Sequence, residues 1–376
     1  MLAAALAAVA ALPGHGQAPA VDDLAPRLAA SIAEGDVPAL AAAVFDSASL
    51  VAIGVAGVRK LGDATEVTVD DRWHIGSISK SFTATLAARY VDRGELAWEA
   101  RLELLLPDPF AGSVYADATL DQLLSHRSGM VANLPMPDFL RFRTSRDPLR
   151  EQRRQALETL AVSEPVTPPG EGFLYSNAGF LTVGAALERL GDRPWEELVQ
   201  VEVLEPLEVV SAGFGAPGAG SPDELSQPWG HVAAADGSKR TPIRPGPLAD
   251  NPPMLGPAGT LHMTIADLAA WGREHLRGER GMGTLLTTET YRRLHRGRGD
   301  NYAYGWVDEV PTWSGGRRAV WHNGSNTMWY AVVAFVPEAD LGVAVTTNGS
   351  LRRAGTVHAV VASLFEAYTT SAGGGR

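Results

Sequence analysis

The chain has 376 residues, 45% of them apolar and 20% charged, a balance that supports a large packed core and excludes wholesale disorder. Asp and Glu outnumber Lys and Arg by 43 to 32, for a net charge of -11; that field repels phosphate polyanions and argues against nucleic-acid binding. Without any cysteine there is no disulfide, thiolate nucleophile or Cys-ligated zinc, and HExxH is absent as well.

At this length two lobes, or one domain with a large insertion, are expected, and 40 Gly with 25 Pro point to many turns and long connections. The opening run MLAAALAAVAAL is too short to cross a bilayer and leads into small residues at Ala18 and Ala20. Residues 1–20 therefore look like a secretory signal, with export to a periplasmic or extracellular compartment as the expectation, although no Lys or Arg precedes the apolar run. No later segment is long enough for a membrane helix, so no stable membrane span is expected. Residues 22–34 carry helical periodicity, and ALAAAVFDSASLVAIGVAGVRK predicts two strands joined by a turn at Asp46–Ser49. The next run, SISKSFTATLAARYVDRG, spaces Ile78, Phe82, Leu86 and Tyr90 as one helical face and ends at Gly94, with Ser77 to Lys80 in its first turn.

From residue 96 to 254 helical patches such as QALETLAV, NAGFLTVGAALERLG and PWEELVQVEVLEPL alternate with Pro/Gly loops, which predicts a mainly helical lobe. In it Arg141, Arg143, Arg146, Arg150, Arg153 and Arg154 are interleaved with Asp138, Asp147 and Glu151, the pattern of a solvated helix face. Beyond residue 302, YAYGWVDEV, RRAVWHNG, TMWYAVVAFVPE and LGVAVTTNG read as four strands, followed by a terminal helix in VHAVVASLFEAY. Strands at both ends imply one sheet built from distant halves, a domain of residues 21–95 and 255–376 around the helical lobe.

Lysine is rare: Lys60, Lys80 and Lys239 are the only three, so 32 - 3 = 29 of the cations are arginines. Arginine stays protonated, whereas a desolvated lysine can give up its proton and act as a base. Lys80 follows Ser77 by three residues, and on a helix that spacing places the amine within reach of the hydroxyl. A serine at a helix N-terminus is also surrounded by unpaired N–H groups that favour negative charge on a carbonyl oxygen. Tyr175-Ser176-Asn177 adds a phenol that can pass a proton and an amide that can hold a substrate carbonyl or the lysine. Trp321-His322-Asn323-Gly324-Ser325 opens a strand pair, with a glycine where substrate backbone could lie close. Composition alone would produce about 0.2 S-x-x-K and about 0.15 Y-x-N matches; each occurs once, and in order.

The stretches WHIGSISKSFTATLAARYVDRGEL, LDQLLSHRSGM, PPGEGFLYSNAGFLTVGAALERL, PAGTLHMTIADLAAW, YAYGWV and VWHNGSNTMWYAVVAFVPEADLGVAVTTN resemble the serine hydrolases related to class C β-lactamases, DD-peptidases and the esterases grouped with them, across about residues 37–350. The resemblance implies an α/β (α+β) fold: a mostly antiparallel sheet flanked by helices, plus a mainly helical lobe, with the active site between them and no cofactor or metal. It implies Ser77 as nucleophile, Lys80 and Tyr175 as the proton-handling pair, and Asn177 as a contact to substrate or lysine. His322, Asn323 and Gly324 would form the strand edge, and the backbone N–H of Ser325 the second oxyanion donor. Class C β-lactamases carry Lys-Thr-Gly where this chain has His322-Asn323-Gly324, an arrangement closer to some DD-peptidases and esterases. A histidine is only partly charged near neutrality, a weaker grip on a β-lactam carboxylate.

Other motifs are weaker. Gly213–Gly218 fits GxGxxG but contains Pro217 and reads as loop. GxSxG and a P-loop lysine are absent, and Asp71, His74, His126 and His262 read as ordinary hydrogen-bonded residues. The tryptophans read mostly as core or turn anchors, although Trp321 and Trp329 flank the third motif, where they could line an acyl pocket. The expectation is an exported serine hydrolase that acts through an acyl-enzyme on a small-molecule ester, amide, D-peptide or β-lactam. An esterase or D-peptide hydrolase is favoured; the alternatives are a β-lactamase and a penicillin- or peptidoglycan-binding sensor that does not turn over.

Overall fold

The computed structural model describes residues 21–373 apart from 222, 224, 235, 237 and 238; the expected secretory segment, 1–20, lies outside the described residues. The main sheet has seven strands in the order Asp22–Asp23, Leu50–Gly57, Ala39–Phe45, Leu341–Thr347, Tyr330–Val336, Ala319–Gly324 and Val307–Glu309. Every pairing is antiparallel except that of Asp22–Asp23 with Leu50–Gly57. The two ends of the chain thus meet in one sheet, as the strand-like runs at both ends imply.

The strands ALAAAVF, YAVVAFV and LGVAVTT are buried along their whole length, because both faces are covered. Successive side chains alternate sides. Leu40, Ala42 and Val44 pack with Val357, Val361 and Leu364 of the terminal helix Ala354–Gly373, while Ala41, Ala43 and Phe45 join the core that holds Leu268 and Trp271 of helix Ile265–Glu279. Among the described residues, no helix is long and apolar enough to cross a membrane. The run YAYGWVDEV departs from expectation: only Val307–Glu309 is a strand, because the chain reverses at Gly305, in the left-handed region at φ 75°.

Helix Ser79–Asp92 buries Ile78's neighbours Phe82, Leu86 and Tyr90 as their spacing predicts, but it buries nearly everything else from Ser79 to Ala88 too. A helix covered on all sides runs through the interior, and its hydroxyls find partners there: Thr83 donates to Pro257 O at 2.7 Å and Ser81 accepts from Trp271 Nε1 at 2.9 Å. Ser77 itself lies just before it, in the 3₁₀ turn Gly76–Ile78.

Residues 96–254 supply the helices Leu120–Leu124, Met136–Arg143, Leu149–Ala161, Asn177–Gly191 and Trp195–Val199, together with three short strands that the periodicity does not show. One of these, Gly213–Phe214, pairs with Leu261–Thr264, which also pairs with Arg72–His74; the Gly213–Gly218 run therefore begins as strand rather than loop. The arginine-rich stretch is not one solvated face. Arg154 pairs on the surface with Glu151 and Glu158, whereas Arg153 is fully buried, ion-paired with Glu188 and Glu196, and donates from Nε to Met254 O at 2.9 Å. Removing one partner of a buried ion pair leaves the other charge uncompensated. Arg153→Ala is therefore expected to lower stability by about 3–5 kcal/mol, measured by urea unfolding, against less than about 1 kcal/mol for Arg154→Ala.

Candidate active site

The strand Arg72–His74 delivers the chain to Gly76, whose φ of 51° turns it into the Gly76–Ile78 turn. His74 Nδ1 accepts from Gly76 N at 3.1 Å, and Ser79 Oγ donates to Gly76 O at 2.7 Å. Ser77, half-buried, is thereby fixed at the N-terminal end of the interior helix. The end of strand Ala319–Gly324 lies directly against this turn. A Cβ built on Gly324 would fall 1.8 Å from Ile75 O and 2.6 Å from Ser77 N, and one on Gly76 would fall 2.2 Å from Ser325 N. Backbone packs on backbone here, and the amides of Ser77 and Ser325 meet at one junction. Gly324→Ala is expected to push the two segments apart and lower kcat/KM by about a hundredfold, the loss typical of a misplacement near 1 Å; steady-state kinetics on a soluble, folded variant checks it.

Lys80 is completely buried. Its Nζ lies 3.0 Å from Ser77 Oγ, 2.7 Å from Asn177 Oδ1 and 2.7 Å from Ala258 O. Loss of solvent pushes its pKa well below the usual lysine range. The three contacts suit both protonation states: an ammonium donates to all three oxygens, while a neutral amine donates to Asn177 and Ala258 and accepts the Ser77 hydrogen. Asn177 opens helix Asn177–Gly191, which Ser176 caps by accepting from Gly179 N at 2.8 Å, and its Nδ2 donates to Asn133 Oδ1 at 2.8 Å. Tyr175 places its ring 4.8 Å from Lys80 Nζ and hydrogen-bonds Ser77. Burial pushes the Tyr175 phenol up, with the Ser77 bond acting in the opposite direction.

Alternation along the Ala319–Gly324 strand separates the third motif. His322 lies on the same side as Gly324, toward Lys80, whereas Asn323 points to the opposite face and donates to Tyr330 Oη at 2.8 Å, itself 2.8 Å from His358 Nε2. The Asn323 side chain is therefore not brought to Ser77. Trp321 shares its face, bonding Glu309 at 2.9 Å, and Trp329 packs edge-on against Trp73 in the core. Neither lines the Ser77 junction. His322 is 2% exposed, and burial, then the Lys80 charge, pushes its pKa down to about 3. The expectation of a partly charged histidine gives way: above that pH the imidazole is neutral.

Two residues outside the three motifs complete the surroundings. His126, at φ 60°, accepts from Ser176 N at 3.1 Å and stacks obliquely on Tyr175 with 4.3 Å between ring centres; it supports the Tyr175 loop. Tyr302 lies against both rings. His74 steadies the Ser77 turn, while Asp71 pairs with Arg59 and His262 bonds Gly215 O at 2.8 Å, away from Ser77. Ala258, in the turn Gly256–Gly259, contributes a backbone carbonyl, for which sequence carries no signal. A cavity of about 680 Å³ lined by Phe214, Ala216, Pro247, Asn251 and Thr260 borders this turn, Asn251 donating to Gly259 O at 2.9 Å. Among the described residues, no cluster of His, Asp and Glu forms a metal-binding group.

An interior helix led by a serine, a desolvated lysine one turn on, and a strand edge packed against the serine are the frame of a serine-hydrolase fold. The β-lactamase family model matches residues 21–364, and the chain belongs to that family. It is 27% identical over 343 residues to penicillin-binding protein 4 of Amycolatopsis lactamdurans, covering 85% of this chain and 82% of that one. It is 26% identical over 330 residues to the unguisins hydrolase ungD' of Aspergillus campestris (strain IBT 28561), covering 84% of this chain and 58% of the relative's length. Among solved structures, that of a D-stereospecific amidohydrolase from Streptomyces sp. superposes with a TM-score of 0.67 at 22% identity, covering 86% of this chain and 92% of that one.

Proposed function

We propose that this protein is an exported serine hydrolase that forms an acyl-enzyme on Ser77 and hydrolyses an ester or an amide, with esters and D-peptides favoured over β-lactams. The observation that carries it is the buried Lys80 amine, 3.0 Å from Ser77 Oγ and stripped of solvent, which makes a neutral amine available as a base. Ser77 Oγ attacks the carbonyl carbon and its proton passes to Lys80, because the lowered lysine pKa supplies a base while the raised Tyr175 pKa keeps the phenol protonated. The Ser77 and Ser325 amides hold the oxyanion. As the intermediate collapses, the bond to the leaving oxygen or nitrogen breaks and the Tyr175 hydroxyl delivers a proton to it, recovering one from Lys80. Water then adds to the acyl-enzyme, releasing the acid and restoring Ser77.

The neutral His322 supports the preference away from β-lactams, since no cation stands where a carboxylate would be held. The similarity to proteins named as an unguisins hydrolase and a D-stereospecific amidohydrolase supports the amide reading. Intact-mass measurement after exposure to a fluorophosphonate, a penicillin and a p-nitrophenyl ester tests this proposal. Expected are a stable fluorophosphonate adduct on Ser77, turnover of the ester, and little penicillin acylation. A long-lived penicillin adduct without ester turnover would identify a penicillin-binding sensor, and rapid penicillin turnover a β-lactamase.

A further inference from the structure

Tyr302 belongs to none of the three motifs, yet it is 6% exposed and wedged between the site's rings, with centroids 4.6 Å from His126, 5.8 Å from Tyr175 and 5.8 Å from His322. Its hydroxyl lies 3.2 Å from His322 Nε2. The other ring nitrogen of His322, Nδ1, lies 2.5 Å from Asn323 O. A carbonyl oxygen only accepts, so Nδ1 carries a hydrogen; in the neutral ring Nε2 is then a bare lone pair, and the Tyr302 O–H is its donor. Both polar atoms of His322 are consumed within the protein.

We propose that Tyr302 is a positioning residue that sets substrate class: by donating to Nε2 it holds His322 as the neutral Nδ1–H tautomer, and so keeps the strand edge beside Ser77 free of positive charge. The groups that face His322 are Lys80 from the interior helix, His126 from the loop before residue 127, and Tyr302 itself, with Tyr175 behind Tyr302. None of these is a carboxylate, so a proton on His322 finds no counterion among them. A substrate carboxylate placed there would be desolvated without a partner, whereas an ester or internal amide carries no such penalty. The site thus selects substrates uncharged beside the scissile bond. This rests on Ser77 being the nucleophile.

The test uses ¹⁵N-histidine NMR together with kcat/KM for a matched pair of p-nitrophenyl esters, one neutral and one with a carboxylate on the acyl chain. In the parent, His322 should show a protonated Nδ1, a bare Nε2 and no titration between about pH 5 and 8. Tyr302→Phe keeps the ring and removes the donor; His322 should then titrate or populate the Nε2–H tautomer, and the carboxylate-to-neutral ratio should rise about tenfold at low pH relative to high pH. A parent His322 that titrates in this window, or carries Nε2–H, overturns the proposal, as does a Tyr302→Phe protein whose spectrum and ratio match the parent's. If Tyr302→Phe does not fold, the parent spectrum decides. Fluorophosphonate labelling of the parent, run alongside, separates the two ideas: its failure on Ser77 removes the serine mechanism whatever the tautomer proves to be.

Discussion

Ser77→Ala is expected to abolish fluorophosphonate labelling and to lower ester hydrolysis by at least about a thousandfold, as losses of catalytic nucleophiles do. The fold should persist, because the hydroxyl's contacts are with Lys80 and Tyr175 inside the site and the backbone turn is held separately by His74 and Ser79. Intact-mass and peptide-mapping measurements read the outcome. An adduct that survives at another serine would move the nucleophile elsewhere.

Lys80→Arg should have an effect nearly as large for a different reason. The guanidinium keeps a positive charge but cannot surrender its proton, so a change that is conservative in charge removes the base, and hydrolysis should fall by about a hundredfold to ten-thousandfold. The parent should lose activity as pH drops through the lowered Lys80 pKa, since the amine gains a proton below it and is neutral above it. That acid limb should vanish from whatever residual activity the arginine variant retains. Secondary structure by circular dichroism must match the parent for the comparison to hold. Activity within about tenfold of the parent would reduce Lys80 to a structural cation.

Local patterning made much of the site readable. Ser77 and Lys80 are three residues apart on one chain segment, so helical geometry alone brings them together, and the scarcity of lysine singled out Lys80 before any contact was known. Gly324 was legible as a place for close approach, although what approaches in this structure is the Gly76–Ser77 backbone. The direction of the Asn323 side chain was not legible from the motif, because a tripeptide on a strand divides between two faces. His126 hydrogen-bonds Ser176 N, in keeping with its reading as an ordinary hydrogen-bonded residue, whereas the place of Tyr302 beside it was not legible. Both lie in stretches that carry the family resemblance, but their meeting with Tyr175 depends on three loops distant in sequence.

Apolar runs at both ends and helical runs between them determined the main strands of the chain-end sheet and the class of fold, because side-chain pattern is a property of adjacent residues. The closeness of Ser77 and Lys80 was determined with them, the two being three residues apart on one chain segment. Tertiary structure alone decided the surroundings of the charges: Arg153 and Arg154 are adjacent in sequence, yet one is fully buried between two carboxylates and the other lies at the surface. It decided likewise that Lys80 is stripped of solvent, that Ala258 O is its third partner, and that burial pushes the His322 pKa down. Desolvation and electrostatic coupling depend on which distant segments close over a group, and no spacing along the chain records that.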